Sequence, residues 1–287
     1  MATLSELAIL RSSLCDMSES VLVLAIRPDI ELANVSDVGC VREANEDYYV
    51  FIEPQDPIEF ERRGRLVLVA DGMGGCEGGR IASRIAGDTI RDVFSSSEED
   101  DPLVVLKEGF RVAHERIQAR ATEDGVSGNM GTTCTAIILK RLAVTVGHIG
   151  DSRLYLIRNG QTEQLSHDHT LVNQLLADDL ITKEEALTHE KKHVLSAALG
   201  VGSWDEASFF NLENDLQVCD ILLLCSDGLH GLVSGEEMAS VTADQSLEEA
   251  CAELLAWARV RGGPDNITLQ MIRIAEPAPQ ASEDEQT

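Results

Sequence analysis

The stretch LVLVADGMGG, residues 66–75, decides how this chain of 287 residues folds. Residues 66–70 are continuously apolar, which is typical of a buried strand, and Asp71 stands at the end of that strand. The glycines that follow allow the backbone to turn tightly and to approach a bound group. A carboxylate beside bare carbonyl groups offers the oxygen ligands that hard divalent cations take. Taken alone, the stretch equally fits an Asp that caps a turn.

The charge of the chain is strongly negative. The sequence has 23 Lys and Arg against 50 Asp and Glu, a formal net charge of −27. Nucleic-acid surfaces need a basic patch and anionic lipid attracts basic segments, so we expect neither partner. The seven cysteines form no CxxC pair, and no apolar run approaches the length of a membrane span. We therefore expect a monomeric, cytoplasmic protein.

The pattern along the chain predicts more strands than helices. The predicted strands are 21–26, 48–52, 66–70, 132–139, 142–149, 152–158, 207–212, 221–225 and 266–274. The helix signals are the amphipathic stretch 77–93, Asp101-Pro102, and the capping boxes that begin at Thr182, Ser234 and Ser246. Asn159-Gly160 predicts a hairpin. Because hairpins outnumber regular βαβ units, we expect an α+β fold of two mostly antiparallel sheets with helices outside.

The same pattern divides the chain into a core and peripheral segments. We predict an N-terminal extension over 1–18, one folded domain over 19–274 and a disordered acidic tail over 275–287. Within the domain, residues 53–65 are expected to be an exposed connection. Residues 166–200 have few strand formers and several polar side chains, which indicates a small helical lid.

Acidic residues recur at the predicted strand ends. They are Asp71, Asp151 and Asp227 after strands, and Glu46, Asp47 and Asp265 just before strands. Acids gathered at strand ends repel one another unless a cation lies among them. An all-oxygen ligand set fits magnesium or manganese better than zinc, and calcium remains open although no EF-hand spacing is present. Each acid taken singly could instead cap a turn.

Two arginines lie close to these acids in the sequence. Arg42 precedes Asp47 by five residues, and its guanidinium could grip two phosphate oxygens. The alternative for Arg42 is an ordinary surface arginine. Arg153 follows Asp151 closely, and we expect it to brace the acids from behind.

Seven motifs together resemble the metal-dependent protein phosphatase family, protein phosphatase 2C, in its bacterial form. In chain order they read SDVGCVREANED, LVLVADGMGG, MGTTCTA, HIGDSRLYL, LSHDHT, LLLCSDGL and GGPDNIT. The resemblance covers about residues 34–274. It implies a four-layer α-β-β-α sandwich with two Mn²⁺ or Mg²⁺ ions at one edge and residues 166–200 as a flap beside the active site.

The resemblance also implies roles for individual residues. The metal-binding set it implies is Glu46, Asp47, Asp71, Gly72, Asp151, Asp227 and Asp265. Asp71 resembles the carboxylate that bridges the two metals, and Asp151 with Asp227 resembles a weaker third site. Arg42 resembles the phosphate-binding arginine.

The implied reaction is hydrolysis of phosphoserine and phosphothreonine in proteins by a metal-activated water. The implied partners are phosphorylated proteins and a cognate Ser/Thr kinase. Where the animal branch has a histidine proposed as general acid, this chain has Met73, which cannot donate a proton, and His169 is a weak substitute candidate. Two alternatives remain: a non-catalytic phosphoprotein-binding regulator with the same fold, and a phosphoesterase acting on other phosphoesters, such as small phosphomonoesters.

Overall fold

The computed structural model describes residues 27–74, 77–126 and 128–275, except for the side chain of Leu187. The predicted strand 21–26, the predicted extension 1–18 and the tail beyond residue 275 lie outside the described residues.

Eleven strands are found in the described ranges, and every pairing between them is antiparallel. They are β1 (Ile30–Asp37), β2 (Asp47–Ile52), β3 (Arg65–Gly74), β4 (Met130–Thr132), β5 (Cys134–Lys140), β6 (Ala143–Ile149), β7 (Arg153–Arg158), β8 (Gln161–Gln164), β9 (Ser208–Asn211), β10 (Ile221–Cys225) and β11 (Ile267–Ile274). One sheet has the order β1-β11-β10-β7-β8. The other has the order β2-β3-β5-β6-β9, with β4 paired to β3.

Helices cover the outer face of each sheet. The helices of the described ranges are α1 (Pro57–Arg63), α2 (Gly78–Ser96), α3 (Pro102–Glu123), α4 (Leu171–Ala177), α5 (Lys183–Thr188), α6 (Asp227–His230), α7 (Gly235–Thr242) and α8 (Leu247–Val260), with a 3₁₀ turn at Trp204–Glu206. Apolar side chains of α2 and α3 pack on the six-stranded sheet, and those of α7 and α8 pack on the five-stranded sheet. A third apolar cluster fills the space between the sheets. The predicted α-β-β-α sandwich is therefore confirmed.

Local signals in the sequence place several of these elements correctly. The side chain of Asp101 accepts a hydrogen bond from the Leu103 amide at the start of α3. The three predicted capping boxes are present at the starts of α5, α7 and α8. Asn159 and Gly160 both have positive φ, 52° and 72°, and join β7 to β8 as the predicted hairpin.

The missed elements include a strand and a helix, besides the short β4 and α6. Strand β1 was not predicted, because Asn34 and Ser36 interrupt the apolar alternation by facing the space between the sheets. The segment 53–65 was predicted as an exposed connection and contains α1. Its signal was present: the Asp56 side chain accepts hydrogen bonds from two amides of the first turn, and Pro57 occupies the first helical position.

The space between the sheets changes in polarity from one end to the other. Its apolar part includes Leu32, Val67 and Ile272. Buried polar side chains such as Gln270 and His148 follow along the strands. Since side chains two residues apart share a face, the polar and acidic residues continue the inner faces of the same strands. The acids therefore lie at one edge of the sandwich.

Candidate metal centre

The structure brings the predicted acids to this one edge. Asp47, the first residue of β2, lies directly opposite Asp71 of β3 in the strand register. Asp227 begins α6 directly after β10 and Ser226, and Asp265 lies two residues before β11, the strand that pairs with β10. Asp151 follows the end of β6 and precedes β7, whose first residue pairs with the last residue of β10. The antiparallel registers place all of these chain positions at the same end of the sandwich.

Asp47 and Asp71 form an uncompensated pair of like charges. Directly opposed acids on adjacent strands repel each other. Burial raises the pKa of Asp47 to about 6, and hydrogen bonds only partly offset this. Burial also raises the pKa of Asp71 well above its usual range, and Asp47 and Asp227 raise it further. The folded chain therefore holds these carboxylates in a setting that disfavours their charge.

Hydrogen bonds to the backbone of Asp71 hold this residue in place without using its carboxylate. Its amide donates to Thr133 Oγ1 at 2.9 Å, and its carbonyl accepts from the Thr133 amide at 2.9 Å. The hydroxyl of Thr132 donates to the same carbonyl at 2.9 Å. Sequence reasoning missed both threonines, although they belong to the quoted motif MGTTCTA.

His230 links the helix that begins at Asp227 to the turn that carries Asp151. The Nε2 atom of His230 donates to the carbonyl oxygen of Asp151 at 2.9 Å, which links α6 to the β6–β7 turn. Burial lowers the pKa of His230 to about 4, so the ring is neutral at pH 7. Burial, together with the charge of the nearby Asp227, raises the pKa of Asp151 to about 7. His230 is a residue that sequence reasoning did not identify.

Gly72 lies where no side chain would fit. A Cβ atom built on Gly72 would lie 2.1 Å from the Gly79 carbonyl oxygen and 2.6 Å from the Glu46 carbonyl oxygen. The Gly72 amide donates to that Glu46 carbonyl at 3.2 Å. The glycine therefore allows β3, the start of α2 and the residue before β2 to meet at backbone distance.

Asn266 organises the loop that carries Glu46 and Arg42. Its Nδ2 atom donates to the carbonyls of Val38 and Ala44 at 3.0 Å each, and its Oδ1 atom accepts from the Glu46 amide at 2.8 Å. These bonds join residues that are 220 to 228 positions apart in the chain. The signal available in the sequence was the Asn of the motif GGPDNIT.

Arg42 is paired with one of the acids. Its Nη2 atom lies 2.7 Å from Asp265 Oδ2, and this hydrogen bond raises the pKa of the guanidinium. The Arg42 side chain is 50% exposed, and its other guanidinium nitrogens have no partner among the residues that the structure describes. One side of the guanidinium is thus available to an anion at the edge.

Two residues near the acids have direct partners of their own. Arg153 was expected to brace the acids; its guanidinium binds Asp168 with Nε at 3.0 Å and Nη2 at 2.7 Å, and its charge partly offsets the rise in the pKa of Asp151. His169 was weighed as a proton donor or a solvated surface histidine. In the structure its Nδ1 accepts from the Gly150 amide at 3.2 Å, and its Nε2 contacts Ser208 Oγ at 3.1 Å. Both ring nitrogens are therefore occupied.

The segment 166–200 borders this edge and is attached to it. The His169 amide donates to the Gly150 carbonyl at 2.7 Å, and Leu199 exchanges hydrogen bonds with Thr132 at 2.9 and 3.0 Å. The segment contains α4 and α5, as expected for a small helical lid. One part of the segment is therefore joined to the β6–β7 turn that carries Asp151, and another is joined to β4, which pairs with β3.

The donor atoms at the edge fit divalent cations. Asp47 Oδ1 and Asp227 Oδ1 are buried and have no hydrogen-bond partner among the described residues. Within those residues, no group of three or more His, Cys, Asp or Glu side chains is placed so that it could hold a metal ion as it stands. Buried carboxylate oxygens without a partner are costly unless a cation satisfies them. The all-oxygen set suits Mg²⁺ or Mn²⁺.

Comparison with known proteins gives a consistent result. Residues 45–267 match the family model described as protein phosphatase 2C, a range that begins just after Arg42. A "Serine/threonine phosphatase stp" of Listeria welshimeri is 34% identical over 242 residues, covering 83% of this chain and 93% of the relative. "Protein phosphatase PhpP" of Streptococcus pneumoniae is 34% identical over 256 residues, covering 86% and 98%.

Solved structures show the same fold. The Mycobacterium tuberculosis serine/threonine phosphatase PstP/Ppp aligns with a TM-score of 0.75 and 31% identity, over 86% of this chain and 99% of the other. The catalytic domain of the phosphatase PstP in complex with two manganese ions aligns with a TM-score of 0.72 and 31% identity over the same shares. The chain, by its motifs, its sandwich and these matches, belongs to the protein phosphatase 2C family.

Proposed function

We propose that the acidic edge hydrolyses phosphoserine and phosphothreonine in proteins with two Mn²⁺ or Mg²⁺ ions. The chain is an enzyme of the serine/threonine phosphatase class, as its family and its relatives' names support. The observation that carries the proposal is the pair Asp47 and Asp71. The two carboxylates lie opposite each other, and Asp47 Oδ1 is buried without a partner among the described residues, so a cation would stabilise both. When bound, the cations supply an activated water and positive charge for the phosphate oxygens.

The chain's own groups divide the remaining work. We assign metal binding to Glu46, Asp47, Asp71, Gly72, Asp151, Asp227 and Asp265. Asp71 would hold both ions, and Asp151 with Asp227 would hold a weaker third ion. Arg42 binds the substrate phosphate with the side of its guanidinium that does not contact Asp265.

Protonation of the leaving serine or threonine oxygen falls to a group other than Met73 or His169. The Met73 thioether has no proton to donate. His169 uses both ring nitrogens within the protein, and burial lowers its pKa. We therefore assign this proton to solvent at the open edge.

The flap segment 166–200 contributes to substrate choice in this proposal. Lys191, Lys192 and His193 are exposed and adjacent in sequence, and none forms an ion pair among the described residues. Acidic groups near the phosphorylated residue of a substrate are suited to contact the lysine ammonium groups of this segment.

The cellular setting is also part of the proposal. The substrates are proteins phosphorylated by a cognate Ser/Thr kinase, and the enzyme acts as a cytoplasmic monomer. Residues 19–274 form the catalytic domain, preceded by the extension 1–18. Among the described residues, no helix is long and apolar enough to cross a membrane.

The test is release of phosphate from a phosphothreonine peptide with and without added Mn²⁺. We expect activity only with metal, its loss with EDTA, and its loss in Asp71→Asn. The control Asp215→Asn changes an exposed Asp outside the edge and should remain active. Full activity in EDTA would contradict the metal-dependent reaction.

The same assay separates the alternatives. A non-catalytic regulator would bind the phosphopeptide and release no phosphate. A small-molecule phosphoesterase would cleave p-nitrophenyl phosphate and leave phosphoproteins intact. We expect both p-nitrophenyl phosphate and phosphopeptide to be hydrolysed.

A further inference from the structure

Two buried amide side chains lie side by side on the inner face of the five-stranded sheet, behind the acidic edge. Asn34 of β1 and Gln270 of β11 are directly opposite in the strand register, and their exposed fractions are 1% and 0%. The next pair inward on the same faces, Leu32 and Ile272, belongs to the apolar cluster between the sheets. The amide pair therefore marks the boundary between the apolar and polar parts of this space.

Most polar atoms of this pair lack a protein partner. Gln270 Nε2 donates to the carbonyl of Leu68 at 2.6 Å and to that of Val50 at 3.2 Å, in the opposite sheet. Gln270 Oε1 and both side-chain polar atoms of Asn34 are buried without a hydrogen-bond partner in the described part of the chain. Buried polar atoms nearly always have a partner, either protein or ordered water. The pair therefore offers two acceptor oxygens and one donor NH₂ group that could still form hydrogen bonds.

A chain of hydrogen bonds begins one residue pair nearer the edge. Ser36 Oγ and Thr268 Oγ1, which are opposite each other, lie 2.7 Å apart, and Asn45 Nδ2 donates to Ser36 Oγ at 2.8 Å. The Thr268 amide donates to Ser226 Oγ at 3.0 Å. Ser226 Oγ in turn donates to Asp47 Oδ2 at 2.8 Å. The polar contacts therefore reach from the hydroxyl pair to a carboxylate of the proposed metal centre.

We propose that Asn34 and Gln270 form an internal water-binding site, and that water held there extends this hydrogen-bonded chain and positions Asp47. Internal water typically makes two to four hydrogen bonds to buried polar groups, which matches the atoms that this pair offers. Asn34 and Gln270 are positioning residues here, since they act on Asp47 through water, the hydroxyl pair and Ser226. The coupling to metal binding rests on the proposed function, whereas the water site does not.

The proposal predicts that a polar group at position 34 matters more than its shape. Thr and Val have nearly the same size and both suit a strand, but only Thr has a hydroxyl that can bind water. Outer-shell partners of metal ligands change metal affinity by about 10–100-fold, and Asn34 lies further from the ions. We therefore expect Asn34→Val to weaken Mn²⁺ binding about fivefold relative to Asn34→Thr, which is less than the effect of a direct outer-shell partner.

The experiment measures Mn²⁺ dissociation constants by calorimetry for the wild type and both variants. Leu32→Met, a change of similar volume on the same strand face, controls for general disturbance of this core. A high-resolution crystal structure of the wild type tests the water directly. Urea denaturation of each metal-free variant confirms that it is folded.

We expect water density between Asn34 and Gln270, near wild-type affinity in Asn34→Thr and Leu32→Met, and weaker affinity in Asn34→Val. Equal affinity of folded Asn34→Val and Asn34→Thr would overturn the positioning role. A high-resolution map without water between the two amides would overturn the site itself. If the wild type binds no Mn²⁺, the proposed function fails, and the map still decides the water site.

Discussion

The buried charged residue at the start of β3 is paired with opposite charges, whereas the buried acid near its other end is not. At its start, Arg65 is fully buried and binds Glu53 through Nε at 2.6 Å and Asp29 through Nη2 at 2.6 Å. At its other end, Asp71 faces Asp47 across the register, and neither carboxylate forms an ion pair with any residue that the structure describes. A buried charge that only supports the fold is paired, because an unpaired one is costly. Unpaired acids kept at one edge therefore indicate a site that is completed by a cation.

Aromatic packing strengthens the difference. The Phe60 ring contacts two guanidinium groups, with its centroid 3.8 Å from Arg27 Cζ and 4.6 Å from Arg65 Cζ. Arg27 also binds Glu53 at 2.9 Å. At the acidic edge, Arg42 pairs with Asp265 while its side chain remains 50% exposed. The arginines near Phe60 serve stability, and Arg42 is placed for contact with a ligand.

Breaking the paired end should have the largest effect on stability. Arg65→Met leaves Glu53 buried with only Arg27 as a partner and should lower the free energy of unfolding by about 3 kcal/mol. Arg120→Met, which removes an exposed helix pair with Asp124, should lower it by less than about 1 kcal/mol. Urea denaturation measures both. Equal small losses would contradict the role given to the buried pair.

The pH dependence of stability should show the strain at the acidic edge. Burial raises the pKa of Asp151 to about 7, so above pH 4 the unfolded chain loses this proton before the folded chain does. The Asp151 contribution to stability is thus present below pH 4 and lost as pH rises to 7. In metal-free protein, Asp151→Asn should gain stability relative to wild type over this range, on the order of 3 kcal/mol.

Comparing the Asp151 variant with wild type removes the opposite effect of buried histidines. Burial lowers the pKa of His148 to about 3, which makes stability rise with pH in both proteins. A difference in unfolding free energy between variant and wild type that stays constant from pH 4.5 to 7.5 would contradict the strained carboxylate.

Two buried aspartates with similar exposure offer a matched test of pairing. Asp37 binds Arg259 at 2.7 Å, whereas Asp47 has no cationic partner among the described residues. In metal-free protein, Asp47→Asn should raise the unfolding free energy by about 0.5–2 kcal/mol, and Asp37→Asn should lower it by a similar amount. Denaturation midpoints with EDTA measure both, and a loss of stability in both variants would refute the difference.

The smallest expected effect concerns the substrate. Arg42→Ala removes a charged hydrogen bond to phosphate and should raise the KM for a phosphopeptide about tenfold. The Mn²⁺ dissociation constant should hardly change. Arg261→Ala, which removes an exposed pair with Glu237, is the control. A large loss of Mn²⁺ affinity in Arg42→Ala would mean that the arginine supports the metal centre instead.

Much of the fold could be predicted because its signals are local. The run Ile221–Cys225 is apolar on both faces and matches β10, and Asn159-Gly160 predicts its hairpin from backbone conformation alone. Strand β1 could not be predicted in this way, because its polar inner residues, Asn34 and Ser36, lie opposite residues of β11 that are more than 230 positions away.

The candidate site could be predicted only in part for a related reason. The acids stand at strand ends, so their meeting follows from topology. The contacts around them do not follow from topology. The Arg42 bond to Asp265 spans 223 positions, and Asn266 bonds three residues of the loop before β2. The expected role of Arg153 rested on sequence proximity, and its direct partner in the structure is Asp168. The surroundings of His169, which bonds Gly150 and Ser208, could not be read from the sequence.

The most direct test of the account is a crystal structure with Mn²⁺, read from manganese anomalous scattering. The account predicts two peaks at the end of β3, with Asp71 oxygens beside both and Asp47 and Asp227 in contact with ions. A map in which these carboxylates bind no manganese, or in which manganese lies elsewhere on this acidic protein, would contradict it.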